Sequence, residues 1–153
     1  MGPGQEGKGS SRTTDTVGEV NASERNVELV RRFFDADTQH DPKVYLSFFG
    51  PDAEVDFSEL DRPYSGVYRG PEEIERLYHD LRDPWYEKEF EFEDLLTSDD
   101  RVVVTLTRTA RSLAGPRLTS RATAVITFRH ARITAFKMFA SRSDALEAAG
   151  LSE

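Results

Sequence analysis

Cysteine is missing from all 153 residues of the chain. A disulfide framework, a thiolate metal site and a cysteine nucleophile are therefore excluded, and a reducing, cytoplasmic location is expected. The longest apolar runs are far too short to span a bilayer, and the first residues lack the apolar core of a secretory signal. The sequence therefore predicts a soluble protein inside the cell.

Motifs that would identify an activity directly are missing as well. The chain has no glycine-rich phosphate loop, no G-x-S-x-G turn and no acidic calcium-binding loop. Its histidines, His40, His79 and His130, are predicted in a loop, a helix and a turn, without the i,i+4 spacing of a zinc site. We therefore predict no cofactor and no metal site.

Positive charge is scarce overall, since the net charge is −8. A surplus of anions argues against binding to phosphate backbones, so no nucleic-acid partner is predicted. The charges are also unevenly distributed, because residues 1–100 carry 11 Lys and Arg against 25 Asp and Glu, whereas residues 101–142 carry nine and none. The two halves either complement each other, within the fold or across a dimer, or form a surface for an anionic ligand.

The N-terminal residues differ in composition from the rest of the chain. Residues 1–22 contain five of the ten glycines and almost no side chains that could pack, which predicts a disordered tail. Residues 23–151 have the length and apolar content of one globular domain with a single core.

The first helix is predicted from about Ser23 to Thr38. One side of it combines apolar residues with one carboxylate at spacings of three and four: Val27, Val30, Phe33, Phe34 and Asp37.

Two further helices are marked by proline and glycine. Asp41 before Pro42 predicts the N-cap of a second helix, which Gly50-Pro51 is expected to end. A third helix is predicted to begin at Gly70 and to end before Pro84.

The remaining segments alternate between apolar and polar residues, as half-buried strands do. The predicted strands are Ala53–Phe57, Val67–Arg69, Glu87–Leu96, Arg101–Arg111, Arg117–Phe128 and Arg132–Ser141, before a closing helix from Ser143 to Ala149. This order predicts an α+β fold in which three N-terminal helices cover one face of a curved sheet, either antiparallel or mixed.

The alternation also predicts which side chains face the helices. If Phe90 and Phe92 point inward, an uninterrupted hairpin places Thr105 and Thr107 on the same concave face, although a bulge would invert part of this assignment. The predicted pocket is lined by Phe33, Phe57, Tyr68, Phe90, Phe92, Thr105, Thr107, Ala122, Ala124, Ile126, Phe136 and Met138. The alternative is that helix aromatics fill this space, since native cores contain few voids.

The opposite, convex face combines apolar and basic residues. Its apolar members are predicted to be Val104, Leu106, Val125, Ile133 and Phe139. A mixed face of this kind is typical of a dimer interface, so a homodimer through the outer sheet face is predicted.

Asp37 and Tyr45 are the candidate catalytic residues. Asp37 continues the apolar side of the first helix into its last turn, where the helix dipole disfavours a negative charge. The alternative is a solvated carboxylate, or one that binds an arginine or a tyrosine. Tyr45 could offer a hydroxyl to a ligand, although such aromatics also pack in cores. Asp56 alternates with Val55 and Phe57, which predicts that it faces away from the core.

Several segments together resemble the SnoaL-like branch of the nuclear transport factor 2-like superfamily. They are Asp41-Pro42, Gly50-Pro51-Asp52-Ala53-Glu54-Val55-Asp56-Phe57, Gly66-Val67-Tyr68-Arg69-Gly70, Asp99-Asp100-Arg101-Val102-Val103-Val104 and Ala145-Leu146-Glu147-Ala148-Ala149-Gly150-Leu151. The resemblance implies a cone-shaped α+β barrel with a deep pocket, often dimeric through the sheets. Members include ketosteroid isomerases, polyketide cyclases and epoxide hydrolases.

The catalytic residues of the ketosteroid isomerases have no counterparts at the matching positions of this chain. The isomerase tyrosine would fall at Phe33, its general base at Phe57 and its protonated aspartate at about Ala124, so all three polar positions are apolar here. Proton abstraction next to a carbonyl needs a base and a donor for the enolate oxygen. We therefore predict a pocket for a small, largely apolar organic ligand. A cofactor-free isomerase, cyclase or hydrolase and a non-catalytic dimerisation or accessory domain remain as alternatives.

Overall fold

A computed structural model describes residues 14–39, 41–60, 66–82, 85–112 and 115–151. Its elements are α1 (Thr14–Asp37), α2 (Pro42–Leu46), β1 (Phe49–Asp56), β2 (Val67–Arg69), α3 (Gly70–Arg82), β3 (Trp85–Ser98), β4 (Arg101–Ser112), β5 (Arg117–Arg129), β6 (Arg132–Phe139) and α4 (Arg142–Ala148). This order confirms the predicted sequence of helices and strands.

The six strands form one curved, open sheet in the order β2-β1-β6-β5-β4-β3. Neighbouring strands are antiparallel except for β1 and β6, which are parallel. The α+β class is therefore confirmed, and the sheet is mixed. β3 lies at a free edge of the sheet, next to the last turns of α1.

α1 begins earlier than predicted. It starts at Thr14 rather than at Ser23, so part of the segment predicted as a disordered tail is helical. Between Thr14 and Ser23 the sequence has no proline, and the single Gly18 costs a helix only about 1 kcal/mol. Residues 1–13, where the rest of that tail was predicted, lie outside the described residues.

The start of α2 is confirmed, but its end is not. The carboxylate of Asp41 accepts hydrogen bonds from the backbone N–H of Lys43 at 3.0 Å and of Val44 at 3.4 Å, as an N-cap does. α2 ends at Leu46, however, and Gly50-Pro51 lies inside β1. Phe48 and Phe49 already pair with β6, since Ile133 donates its N–H to the carbonyl of Phe48 at 2.8 Å. The chain is therefore extended from Phe49 onward, and the helix ends before the predicted stop.

Helices α1 to α3 pack on one face of the sheet, here called the inner face. Six aromatic rings from α1, α2, the turn after α2 and the sheet meet there, and we call them the aromatic core: Phe33, Phe34, Tyr45, Phe48, Phe49 and Phe136. The outer face is partly covered by α4, whose Ala145 and Leu146 pack with Val103 and Val125. The sheet therefore has hydrophobic clusters on both faces.

A β-bulge reverses the predicted faces of β4. Phe92 pairs with Leu106 but Asp94 pairs with Thr105, so β3 contains one extra residue at this point. Val104 and Leu106 consequently face inward, and Thr105 and Thr107 face outward, where Thr105 shares a buried 3.1 Å hydrogen bond with Thr123. The prediction that Thr105 and Thr107 lie on the concave face is therefore wrong.

The residues of the predicted dimer surface are turned into the core by β-bulges or covered by α4. Phe128 pairs with Ile133 but Thr127 pairs with Ala135, which turns Ile133 into the core together with Val104 and Leu106. Val125 and Phe139 do face outward, but they pack against α4 and are 8% and 5% exposed. The predicted set of Val104, Leu106, Val125, Ile133 and Phe139 is therefore not an exposed interface.

Candidate functional site

A buried ion pair joins the end of α1 to β3. Asp37 is the last residue of α1, and its Oδ1 lies 3.2 Å from Nζ of Lys88. The two side chains are only 14% and 6% exposed. Among its predicted alternatives, Asp37 thus takes a charged partner rather than solvent, and that partner is a lysine. We call Asp37, Lys88 and the adjacent Tyr45 the Asp37–Lys88 site.

Lys88 is the member of this site that the sequence analysis missed. In β3 it shares the inward phase of Phe90 and Phe92, and it pairs with the buried Ala110 of β4. A lysine in the apolar phase of an otherwise alternating strand was the available signal. Its Nζ also lies 5.9 Å from the centre of the Phe90 ring, within range of a cation–π interaction.

Tyr45 lies in the core beside this pair. Burial, then the charge of Asp37 and then Tyr78 raise the pKa of the Tyr45 hydroxyl well above its ordinary value. The Tyr45 ring centre is 4.7 Å from that of Tyr78 and 5.0 Å from that of Phe33. Because its hydroxyl stays protonated at neutral pH, Tyr45 is a hydrogen-bond donor near the Asp37 carboxylate.

Two open grooves lie where α1 ends beside the free edge of β3. The larger, the edge groove, has a volume of about 420 Å³ and is lined by Thr38, Lys88, Glu89, Phe90, Glu91, Thr107 and Thr109. The smaller, the helix groove, has about 160 Å³ and is lined by Arg31, Phe34, Asp35, Thr38, Phe90 and Phe92. Thr38 and Phe90 belong to both. The edge groove thus gives access to Lys88 and runs over the edge of β3 to the outer face.

The predicted lining residues are divided between the grooves and the core. Phe90, Phe92 and Thr107 border the grooves. The others pack in the core or against it: Phe33, Phe57, Ala124, Ile126 and Phe136 are buried, and Tyr68 and Met138 are partly buried. Ala122, which pairs with the inward Leu106, is also partly buried.

The centre of the inner face is tightly packed. The ring of Phe33, at the position that corresponds to the isomerase tyrosine, lies 5.0 to 5.8 Å from five other rings of the aromatic core. Such distances are those of direct aromatic contact.

The remaining polar candidates lie elsewhere. Asp56 faces away from the core as predicted, and it accepts hydrogen bonds from Ser58 and lies 3.6 Å from Lys137. Although burial acts to raise it, these hydrogen bonds and the charge of Lys137 lower the pKa of Asp56. His79 lies 3.6 Å from Glu75 on α3, His130 is in the β5–β6 turn, and His40 lies outside the described residues.

Neither a metal-holding cluster nor a membrane-spanning helix is found among the residues that the structure describes. No group of three or more His, Cys, Asp or Glu side chains is arranged to hold a metal ion there. None of the described helices is both long and apolar enough to cross a membrane.

Comparison with known proteins gives a consistent result. The model of the SnoaL-like domain family matches residues 30–136. Bal32a, from a soil-derived mobile gene cassette, is 25% identical with a TM-score of 0.67, over 76% of this chain and 89% of that one. A putative SnoaL-like polyketide cyclase from Jannaschia sp. CCS1 is 18% identical with a TM-score of 0.64, over 76% and 85%.

A third similar structure contains an organic molecule. TerC, co-crystallised with polyporic acid, is 21% identical with a TM-score of 0.65, over 75% of this chain and 90% of that one. A search of curated proteins gives no match. The fold is therefore that of the nuclear transport factor 2-like superfamily.

Proposed function

The chain belongs to the SnoaL-like domain family, and from this premise we propose that it binds a small, largely apolar organic molecule in the edge groove. The observation that carries the proposal is the buried Asp37–Lys88 pair, whose lysine lines that groove beside the ring of Phe90. Ligand sites typically combine an apolar wall with a few fixed polar groups.

The size of the edge groove supports this proposal. Its volume of about 420 Å³ lies within the range of small-molecule sites, about 300 to 1,000 Å³. Phe90 offers an aromatic face to the ligand, and the other lining residues offer polar or charged groups: Thr38, Lys88, Glu89, Glu91, Thr107 and Thr109. A similar structure, TerC, is described with polyporic acid, an organic molecule, which is consistent with an organic ligand here.

The same site could perform acid–base chemistry without a cofactor. Asp37 would accept a proton from the ligand, and the Lys88 ammonium would stabilise the negative charge that develops on an oxygen, with the Tyr45 hydroxyl behind them near the Asp37 carboxylate. An isomerase, a cyclase and a hydrolase all need these elements. The chemistry would then differ in position from that of the ketosteroid isomerases.

The packing of the aromatic core favours a second candidate function. Because Phe33 contacts five other rings, the centre of the cone is occupied by side chains of the protein itself. A domain with a filled interior would serve in dimerisation or as an accessory to another protein, without turnover. This alternative requires that the edge groove stay empty in the cell.

We also propose a homodimer, with a different interface from the predicted one. The part of the outer face that α4 leaves open, here called the charged face, has acidic residues on β3, threonines on β4 and arginines on β5: Glu89, Glu91, Glu93, Thr107, Thr109, Arg117 and Arg121. A two-fold axis along β4 would lay the acidic strip of one copy over the basic strip of the other.

Native mass spectrometry of the full chain, freshly isolated from its own host, tests ligand binding. We expect a retained small molecule that is lost from a Thr38→Trp variant, which places an indole at a position that lines both grooves. The matched control is Thr97→Trp, at an exposed position on β3 outside the grooves. Retention in Thr38→Trp, or an empty wild-type protein, would support the accessory-domain alternative.

A further inference from the structure

Lys88 differs from the other lysines of the chain. The chain has four lysines, of which Lys43, Lys88 and Lys137 lie in the described residues. Lys43 is exposed and the Lys137 side chain is 38% exposed, whereas that of Lys88 is 6% exposed. Lys88 nevertheless lines the edge groove, so a molecule in the groove would lie beside its amine.

Lys88 lies beside a group that can accept its proton. Its Nζ lies between the carboxylate of Asp37, at 3.2 Å, and the face of Phe90, at 5.9 Å. The Asp37 carboxylate is therefore placed to take the proton that the Lys88 ammonium must lose before its amine can react. A desolvated lysine amine is a nucleophile towards carbonyl carbons.

We propose that Lys88 forms a Schiff base with an aldehyde or ketone that binds in the edge groove. This inference rests on the proposed function and specifies its ligand class as carbonyl compounds. A purely structural ion pair would not require the amine to lie on a groove wall. Lys88 supplies the only amine among the described residues that line the edge groove.

The step conserves atoms and charge with the groups at hand. Asp37 accepts a proton from the Lys88 ammonium, and the free amine attacks the carbonyl carbon to form a carbon–nitrogen bond. The carbonyl oxygen takes up a proton from the attacking nitrogen to give a neutral carbinolamine. That hydroxyl then leaves as water with the proton returned from Asp37, so the ammonium and the carbonyl become a protonated imine and one water, and Asp37 is again a carboxylate. No oxidant, reductant or metal takes part.

Borohydride trapping of the folded, full-length chain tests the inference. Benzaldehyde and acetophenone serve as probes, because their rings match the aromatic wall at Phe90, and borohydride converts an imine to a stable secondary amine. Peptide mass mapping then locates the label. We expect Lys88 to be labelled well before the exposed Lys43. If solvent exposure alone determined the rate of labelling, Lys43 would instead be labelled first.

Variants and a binding measurement separate the possible outcomes. Lys88→Arg keeps the positive charge but cannot form an imine, so it should lose the label, whereas Lys137→Arg should retain it. The wild-type site mapping stands even if a Lys88 variant fails to fold. Equal or preferential labelling of Lys43 would overturn the Schiff base. If native mass spectrometry then still shows a non-covalent ligand, the proposed function survives; if it shows none, both fail.

Discussion

At the scale of single residues, the Asp37–Lys88 pair dominates the local energetics. Both charges are largely removed from water, so each compensates the other's desolvation. We expect Lys88→Met to lower the free energy of unfolding by about 3 kcal/mol, because it leaves a buried carboxylate without its cation. Urea denaturation measures this change.

A double variant and an exposed pair serve as controls for this prediction. Asp37→Asn combined with Lys88→Met should be less destabilised than the sum of the two single variants, since no charge remains uncompensated. Arg32→Met breaks the exposed pair with Glu28, whose side chains are 66% and 56% exposed, and should change stability by less than about 0.5 kcal/mol. Equal losses in Lys88→Met and Arg32→Met would mean that the Asp37–Lys88 pair is solvated.

Tyr45 should make the stability of the folded protein depend on pH in the alkaline range. Its pKa is raised, first by burial, so the folded state holds this proton to higher pH than the unfolded chain does. The contribution of Tyr45 to stability is therefore complete below about pH 10 and is lost as the pH rises through the folded pKa.

Spectroscopic titration checks this expectation. Ultraviolet absorbance should show that Tyr45 ionises only together with unfolding, as followed by circular dichroism. In Tyr45→Phe the number of phenols that ionise at this step should fall by one, and the loss of stability above pH 10 should be shallower. Ionisation of all wild-type tyrosines before unfolding would contradict the assignment.

The residues of the site were only partly accessible from the sequence. Asp37 could be singled out because a carboxylate stands on an apolar helix side, and Tyr45 because its hydroxyl could serve a ligand. Lys88 showed a signal only through its strand phase, as a lysine among inward-facing residues, and its pairing with Asp37 depends on the packing of α1 against β3. Sequence spacing does not report that contact across 51 residues.

At the scale of elements, the order of helices and strands along the chain was predictable. The face of the sheet to which each strand residue points was not. Alternation and turn residues located β3 to β6 to within a few residues. The two bulges each insert a residue without a sequence signal strong enough to place it, and every side chain beyond a bulge changes face. Thr105, Thr107 and Ile133 were misassigned for this reason alone.

The β5–β6 hairpin turn contains backbone strain that a substitution by glycine can relieve. His130 and Ala131 both have positive φ, at 53° and 63°, a conformation that suits glycine better than alanine. We expect Ala131→Gly to raise the free energy of unfolding by about 1 kcal/mol. Thermal denaturation measures the change.

An alanine in regular helix provides the matched comparison for Ala131. Ala148→Gly, at an exposed position in the last turn of α4, should lower stability by up to about 1 kcal/mol. If both glycine variants are destabilised, the turn does not have the left-handed geometry described above.

At the scale of the whole molecule, the charge asymmetry of the sequence reappears on one surface. Arg121 donates to Glu93 at 2.8 Å, Arg117 lies 3.8 Å from Glu89, and both pairs cross β4 on the charged face. Of the two interpretations of the charge pattern, complementarity within the fold is thus observed. Complementarity between copies remains a proposal.

Substitution of Thr107 tests the proposed dimer. Near a two-fold axis along β4, a charge of either sign would face its own copy, so Thr107→Glu and Thr107→Lys should both shift the protein towards monomer. Sedimentation velocity at low and high salt measures this, and wild-type dimer should weaken as salt rises.

A charge change elsewhere controls for nonspecific effects on association. Asp80→Lys lies on an exposed position of α3, on the opposite side of the sheet, and should leave association unchanged. A wild-type protein that is monomeric at all concentrations, or a Thr107→Lys variant that associates normally, would reject this interface.

Binding of a small organic molecule beside Lys88 is measured most directly by amide chemical-shift mapping of the assigned, isotope-labelled chain against a library of aromatic carbonyl compounds. We predict saturable shifts at Thr38, Lys88 and Phe90, and their loss in Thr38→Trp but not in Thr97→Trp. Saturable shifts confined to other surfaces, or no binding from the library at millimolar concentration, would contradict it.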